Sequence, residues 1–238
     1  MIYVTSDLHG CDPKVFQALL DRAGFTGDDF LFILGDVIDR GQHGAELLLW
    51  LTQQANVQLI LGNHEALLLA CDFLFREVTE ENLADLTAEH LLLLGNWREN
   101  GGSPTLAGLR EILKQDPDLV EGILDYLREA PLYETVEAGG KHYVLVHSGL
   151  GNFRPDKDLD DYTPEELLMT RPAPDTAYFK NATVVCGHTP TEFFTEASRD
   201  RSFHTPTWVC IDTGAARGGT GCSEHLHHPQ EAYGPDYG

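Results

Sequence analysis

Residues 30–41 read FLFILGDVIDRG, and this stretch decides the predicted fold. A short apolar run is followed at once by a glycine, two aspartates and an arginine. A run of this length indicates a strand that is buried on both faces, as in a parallel sheet. Further apolar runs at 2–6 and 57–61 alternate with helical patterns at 13–23, 45–54 and 65–76. This alternation predicts βαβ units in the first third of the chain.

The rest of the chain has a different pattern. Residues 80–130 are mostly helical in pattern, with a glycine-rich interruption at 96–104. Residues 133–147 predict a β-hairpin that turns at Ala138-Gly139-Gly140. Two more strands are predicted at 183–186 and 207–211, after a loop-and-helix excursion over 151–181.

These elements predict an α/β fold in a single domain. The motifs described below come from both halves of the chain, which favours one domain over two. We place that domain at 1–222, with 80–130 as a mostly helical insert. Residues 223–238 predict a flexible acidic tail that is rich in histidine.

The composition excludes several classes of function. The 238 residues carry 38 acidic and 16 basic side chains, a formal net charge of −22. Such a surface disfavours nucleic-acid polymers and anionic membranes, because both are bound largely through Lys and Arg. No apolar run reaches the length of a membrane span, and the N-terminal residues lack a signal-peptide pattern. Five scattered cysteines favour reduced thiols, and we therefore predict a cytoplasmic protein.

Polar side chains follow five of the predicted strands. The segments are DLHG at 7–10, GDVIDRG at 35–41, GNHE at 62–65, HSGL at 147–150 and GHT at 187–189. Ligands bind at the carboxyl ends of the strands in open α/β sheets. The sequence therefore predicts a functional site at this edge.

The residue types at these strand ends suit metal ions. The candidate ligands are Asp7, His9, Asp36, Asn63, His147 and His188. Carboxylate, imidazole and amide donors without thiolate favour Mn, Fe or Zn. Six ligands are too many for one tetrahedral site and fit two ions that share a carboxylate. Taken singly, each residue also has a structural interpretation, such as Asn63 as a helix N-cap.

The five motifs together resemble the metallophosphoesterases, the calcineurin-like superfamily. Within it they resemble the bacterial phosphoprotein phosphatases, the serine/threonine phosphatase branch, because of Arg40-Gly41 and Glu65. The stretches 97–106, 167–172 and 211–215 resemble bacterial members too. The resemblance implies a four-layer β-sandwich, with two mixed sheets flanked by helices and a dinuclear metal site at the strand ends.

The same resemblance implies a role for each site residue. Asp7 and His9 hold the first metal, Asp36 bridges, and the second metal is held by Asn63, His147 and His188. Two divalent ions are implied, with Mn expected and Fe or Zn as alternatives.

The resemblance also implies the catalytic and substrate-binding residues. His64 is the general acid and Asp39 orients it. Arg40 and Arg171 bind the phosphate, and Asn63 contacts it as well. The implied mechanism is direct attack on phosphorus by a metal-bridging hydroxide.

Three functions are compatible with these residues. The first is a phosphomonoester hydrolase acting on phosphoserine or phosphothreonine in proteins. The second uses the same site on a dinucleoside polyphosphate or another nucleotide. The third is a metal-binding interaction module without turnover. The substrate is therefore expected to be a phosphoprotein, or else a small phosphoester or nucleotide.

Overall fold

The first sheet of the protein is short and parallel. A computed structural model describes residues 1–77, 79 and 86–214. Strands β1 (Ile2–Thr5), β2 (Phe30–Ile33) and β3 (Val57–Leu59) pair in that order, both pairs parallel. Helices α1 (Pro13–Ala23) and α2 (Gly44–Leu51) connect them. The βαβ prediction for this part of the chain is therefore confirmed.

The second sheet is mixed and has five strands. These are β4 (Tyr133–Ala138), β5 (Lys141–Val146), β6 (Ala182–Cys186), β7 (Phe203–His204) and β8 (Trp208–Cys210). Their order is β4-β5-β6-β8-β7. The central strands β5, β6 and β8 are parallel to one another, and the two edge strands are antiparallel to their neighbours.

The other helices lie between the two sheets in sequence or after β5. They are α3 (Asn63–Ala70), α4 (Ala88–Glu99), α5 (Ser103–Gln115), α6 (Pro117–Glu129) and the short α7 (Pro164–Leu168). Single 3₁₀ turns occur at Asp72–Phe75, Leu159–Asp161, Thr191–Phe193 and Glu196–Ser198. Within the described residues, no helix is both long and apolar enough to cross a bilayer.

Alternating side chains of the strands hold the layers together. In β2, Leu31 and Ile33 pack against the helices, whereas Phe32 faces the second sheet. In β5, Tyr143 faces the first sheet and Val144 faces the excursion that follows β5. Successive side chains of a strand point to opposite faces of its sheet. One core therefore forms between the two sheets, and a further core forms on the outer face of each sheet. The predicted four-layer arrangement is confirmed.

Some details of the prediction differ from the structure. The first sheet is parallel rather than mixed, because a helix separates each pair of its strands. The helix predicted over 65–76 ends at Ala70 and is followed by a 3₁₀ turn. The two-residue strand β7 was not predicted.

The cysteines also differ from the prediction. Cys11 is disulfide-bonded, whereas Cys71, Cys186 and Cys210 are free thiols. An odd number of cysteines means that at least one stays unpaired, but it does not exclude a single disulfide bond. The tail at 223–238 lies outside the described residues, so it and the domain boundary at 222 stay predictions.

Glu166 stabilises the loop-and-helix segment between β5 and β6. Its carboxylate accepts hydrogen bonds from Lys157 Nζ (2.8 Å), Thr163 N (2.9 Å) and Asn152 Nδ2 (2.9 Å). Lys157 and these other donors lower the pKa of Glu166 from 4.5 to about 2. The stabilisation is therefore complete above pH 4.5 and is lost as the pH falls towards 2.

We predict that Glu166→Gln lowers the melting temperature at pH 7. The difference from the wild type should shrink as the pH falls from about 4.5 to 2, because the wild type then loses the same charge. Thermal unfolding followed by circular dichroism at several pH values measures this. Glu165→Gln, at the exposed neighbouring position, is the matched control. A difference that does not change with pH would show that the carboxylate charge has no part in it.

Candidate active site

The loops that follow the strands share an uncommon backbone conformation. Eight described residues other than glycine have positive φ, and six of them belong to the predicted site. The six are Asp7 (53°), His9 (44°), Asp36 (53°), Asp39 (69°), Arg40 (67°) and His188 (65°). This left-handed region is uncommon for side-chain-bearing residues, and such strain concentrates at functional sites.

The site residues lie so close together that two neighbouring positions accept only glycine. A Cβ atom on Gly187 would clash with Asp7 Oδ2. A Cβ atom on Gly35, whose φ is +77°, would lie 2.7 Å from His147 Nδ1. Both contacts are far shorter than the non-bonded distances that a carbon atom keeps from oxygen or nitrogen.

Glu65 holds the turn that follows β2. Its side chain is completely buried, and its carboxylate accepts four backbone hydrogen bonds. Oε1 binds the N–H groups of Val37 (2.8 Å) and Ile38 (3.3 Å). Oε2 binds those of Asp36 (2.8 Å) and Gly62 (3.1 Å). Gly62 caps α3, and Asn63 is the first helical residue rather than the predicted cap.

Asp36 lies between two groups of candidate metal ligands. Ligand atoms of His9, Asp36 and His64 lie within 4.8 Å of one another, and so do those of Asp36, His147 and His188. Asp36 Oδ2 is 3.8 Å from His9 Nε2, and Oδ1 is 3.5 Å from His147 Nε2. The two oxygens of one carboxylate therefore face different groups, which is the geometry of a bridging ligand.

Two other predicted ligands complete these groups. Asn63 Oδ1 is 2.9 Å from His147 Nε2. Asp7 is buried beside the first group, with Oδ1 4.0 Å from His9 Nε2, and both its oxygens accept the backbone N–H of His188. All six predicted ligands therefore meet in one cluster.

Backbone carbonyls select the ring nitrogens that face the cluster. His9 Nδ1 lies 3.1 Å from Ile38 O, and His147 Nδ1 lies 2.7 Å from Leu34 O. A protonated Nδ1 donates to the carbonyl and leaves a lone pair on Nε2, the arrangement usual for metal-binding histidines. Burial lowers the pKa of His9 to about 3, so that its imidazole is neutral.

The group formed by Asp36, His147 and His188 has more hydrogen-bond acceptors than donors. His147 Nε2 lies 3.2 Å from His188 Nδ1 as well as 2.9 Å from Asn63 Oδ1. Burial and the neighbouring His147 lower the pKa of His188 to about 3, and its buried Nε2 has no hydrogen-bond partner. Lone pairs from nitrogen and oxygen that converge without protons fit a divalent cation.

Buried carboxylates add negative charge to the same cluster. Burial, Asp212 and Asp36 raise the pKa of Asp7 well above its ordinary value. Burial and, less strongly, Asp36 raise the pKa of Asp212 to about 7. A bound cation would relieve this repulsion, so the donor set fits the metals that the sequence predicts.

His64 and Asp39 form a buried pair. His64 Nδ1 donates to Asp39 Oδ2 at 2.7 Å. Burial lowers the pKa of His64, but the hydrogen bond to Asp39 and the charge of Asp36 outweigh it and leave the pKa raised. Asp39 Oδ2 also accepts Trp97 Nε1 (2.9 Å), and Oδ1 accepts Thr105 Oγ1 (2.7 Å). The helical insert therefore fixes the residue that orients His64.

The two predicted phosphate-binding arginines lie at the edge of the cluster. Arg40 donates to His9 Nε2 (2.8 Å) and to His64 Nε2 (3.2 Å). Arg171 donates to Thr189 Oγ1 (3.1 Å), next to His188. Both arginines act electrostatically on Asp212 and lower its pKa, so both lie near the same buried carboxylate.

Sequence reasoning missed three contributors. Glu65 was used only to recognise the branch, and its clamp on the β2 turn needs a structure to be seen. Thr105 lies 66 residues from Asp39, and the resemblance at 97–106 does not reveal its contact with that carboxylate. Asp212 follows β8 as Asp7 follows β1, and this strand-end position was the signal that could have found it.

Comparisons with known proteins agree with this geometry. The model of the family described as calcineurin-like phosphoesterase matches residues 1–207. The chain belongs to this family. The predicted membership of the metallophosphoesterase superfamily is therefore confirmed.

Two curated relatives are symmetrical bis(5'-nucleosyl)-tetraphosphatases. One, from Acidovorax ebreus, is 31% identical over 70% of this chain and 47% of its own length. Another, from Actinobacillus succinogenes, is 32% identical over 66% of this chain and 46% of its own length. The chain therefore spans less than half the length of these relatives. Their names do not support the narrower prediction of a serine/threonine phosphatase.

Solved structures share the fold. One described as a candidate diadenosine tetraphosphatase has a TM-score of 0.56 at 17% identity, covering 92% of this chain and 85% of its own. A protein serine/threonine phosphatase from Saccharomyces cerevisiae has a TM-score of 0.55 at 15% identity, covering 89% and 66%. At such identities the likeness concerns the fold alone.

We predict that Asp39→Asn lowers the pKa of His64. The amide removes the negative charge that favours the imidazolium form. Titration of the His64 ring by nuclear magnetic resonance, in chelator-treated protein, measures the change. Thr105→Val is the control, because it removes a hydroxyl contact but keeps the carboxylate. An unchanged His64 pKa in Asp39→Asn would contradict the pairing.

Proposed function

We propose that the protein is a metal-dependent hydrolase of dinucleoside polyphosphates. The observation that carries the proposal is Asp36, whose two oxygens face two separate groups of histidines. The names of the relatives support a nucleotide over a phosphoprotein as the substrate. The cytoplasmic location and the identity of the metal stay predictions, with manganese first.

Each predicted ligand has a place in this proposal. Asp7 and His9 would hold one cation, Asn63, His147 and His188 would hold the other, and Asp36 would serve both. His64 belongs to the first group by distance, but its Nδ1 is engaged by Asp39. We therefore assign His64 to proton transfer, and we assign Asp7 as a ligand of the first cation instead of His64.

The chain's own residues account for positioning and proton transfer. Divalent cations, when bound, would supply Lewis-acid stabilisation of phosphoryl charge and make water easier to deprotonate. Arg40 and Arg171 bind phosphoryl oxygens, as guanidinium groups do well. His64, oriented through Nδ1 by Asp39, donates a proton from Nε2 to the leaving oxygen. Water adds across the P–O–P bond, so a symmetrical cut yields two nucleoside diphosphates.

Arg40 must move for these steps to occur together. Its guanidinium contacts Nε2 of both His9 and His64, the atoms needed for a cation and for the proton. A cation at His9 would repel the guanidinium and release it towards the phosphate.

We predict that the wild type binds two Mn²⁺ ions and that Asp36→Asn loses affinity at both sites. One carboxylate serves both ligand groups, so a single substitution should weaken them together. Isothermal titration calorimetry after chelator treatment measures the stoichiometry. Asp156→Asn, a strongly exposed position, is the control and should bind like the wild type. Loss of only one ion in Asp36→Asn would contradict the shared position.

We predict that Mn²⁺-loaded protein hydrolyses bis(5'-adenosyl) tetraphosphate at least tenfold more efficiently than a phosphoserine peptide. The only nucleotide product should be ADP. His64→Ala should lower kcat by about 10² to 10⁴, the usual contribution of a positioned acid. Chromatography of the products and phosphate release measure both reactions. Preference for the peptide would restore the serine/threonine phosphatase hypothesis, and activity towards neither substrate would leave the binding-module hypothesis.

A further inference from the structure

A recess lies beside the cluster of candidate metal ligands, on the side of Asn63. We call it the α3–α4 pocket. It has a volume of about 290 Å³ and lies between α3, α4 and the end of α7. The residues that matter for its chemistry are Asn63, Leu67, Asn96, Asn100, Leu168 and Met169. Its size is near the lower end of those that hold small organic ligands.

The walls of the α3–α4 pocket are mostly apolar. Leu168 is buried and Leu67 partly buried, which gives a fixed apolar floor. Met169 is 54% exposed at the rim of the pocket. A flexible thioether of this kind adapts its shape to a ligand.

Two amide side chains provide the polar part of the pocket. Asn100 Nδ2 donates to both the carbonyl oxygen (2.9 Å) and the side-chain Oδ1 (3.1 Å) of Asn96. The two amides are therefore held together on the last turn of α4. Asparagine amides match the hydrogen-bonding edge of a purine, in which a ring nitrogen accepts and an amino group donates.

The pocket is continuous with the proposed reaction site. Asn63 lines the pocket and also lies 2.9 Å from His147 Nε2 in the second ligand group. A ligand in the pocket therefore lies against the position proposed for the phosphoryl groups.

A larger recess lies on the other side of the same rim. It has a volume of about 570 Å³ and includes Asn152, Thr170 and Arg171. Glu165 and Met169 line both recesses and form the rim between them. Arg171 lines only the larger recess and suits a phosphate chain, whereas the apolar walls of the α3–α4 pocket suit an uncharged ring.

We propose that the α3–α4 pocket binds the nucleoside of the substrate, with the base between Leu67 and Met169 and its polar edge at Asn96 and Asn100. This inference rests on the proposed function and names the residues that recognise the nucleoside. The side chains of phosphoserine and phosphothreonine contain no planar ring that would use both the apolar walls and the paired amides.

The test compares substrates with and without a nucleoside. Asn96→Phe narrows the pocket from α4, and Met169→Ala removes the apolar rim. We expect each to lower the ratio of kcat/KM for bis(5'-adenosyl) tetraphosphate to that for inorganic tripolyphosphate by about tenfold, the scale of one or two lost apolar or amide contacts. Leu92→Phe, a highly exposed position on the same helix, is the matched control. An unchanged ratio in both variants overturns the proposal.

A binding measurement separates this inference from the proposed function. Adenosine is titrated calorimetrically into chelator-treated wild type and into Asn96→Phe and Met169→Ala. Adenosine should bind the wild type and bind both variants about tenfold more weakly. If hydrolysis fails but adenosine binds in this way, the pocket stands and the proposed activity falls. If hydrolysis succeeds but adenosine binds all three proteins equally, the pocket assignment falls alone.

Discussion

The carboxylate of Glu65 is the interaction on which the rest of the site depends. It takes four backbone N–H groups from Gly62 and the turn after β2 and so holds Asp36 in a left-handed conformation. Burial and the nearby Asp36 raise the pKa of Glu65 to about 7, whereas the hydrogen bond from the backbone of Asp36 acts in the opposite direction. The strain at Asp36 persists because this clamp over-determines the turn.

The helical insert is part of the site rather than an appendage to it. Trp97 and Thr105 both donate to Asp39, and Asp39 in turn orients His64. The same insert supplies Asn96 and Asn100 to the α3–α4 pocket. One segment therefore contacts the pair of Asp39 and His64 and also lines the pocket proposed for the nucleoside.

Most of the fold and all six candidate ligands could be predicted from the sequence, for a local reason. Each ligand directly follows a strand or begins the helix after one, so the apolar runs place it. Asp39, Arg40 and His64 belong to the same local motifs. The roles of Glu65, Thr105 and Trp97 depend on contacts between separate segments. No periodicity or spacing encodes such contacts in a single sequence.

The substrate class was the weakest prediction for the same reason. Ligands for metals and phosphate are common to hydrolases of proteins and of nucleotides, and the motifs contain nothing else. The pocket proposed for the nucleoside lies at α4 and α7, where Asn96 and Met169 are exposed. Asn96 lies just outside the stretch 97–106, and the resemblance at 167–172 does not distinguish the two substrates.

The central claim is that Asp36 lies between two cations. A crystal structure of the Mn²⁺-loaded protein, with anomalous data collected at the manganese edge, tests it most directly. The account predicts two anomalous peaks about 3.5–4 Å apart, one near each oxygen of Asp36. A single peak, or two peaks that Asp36 does not join, would contradict it.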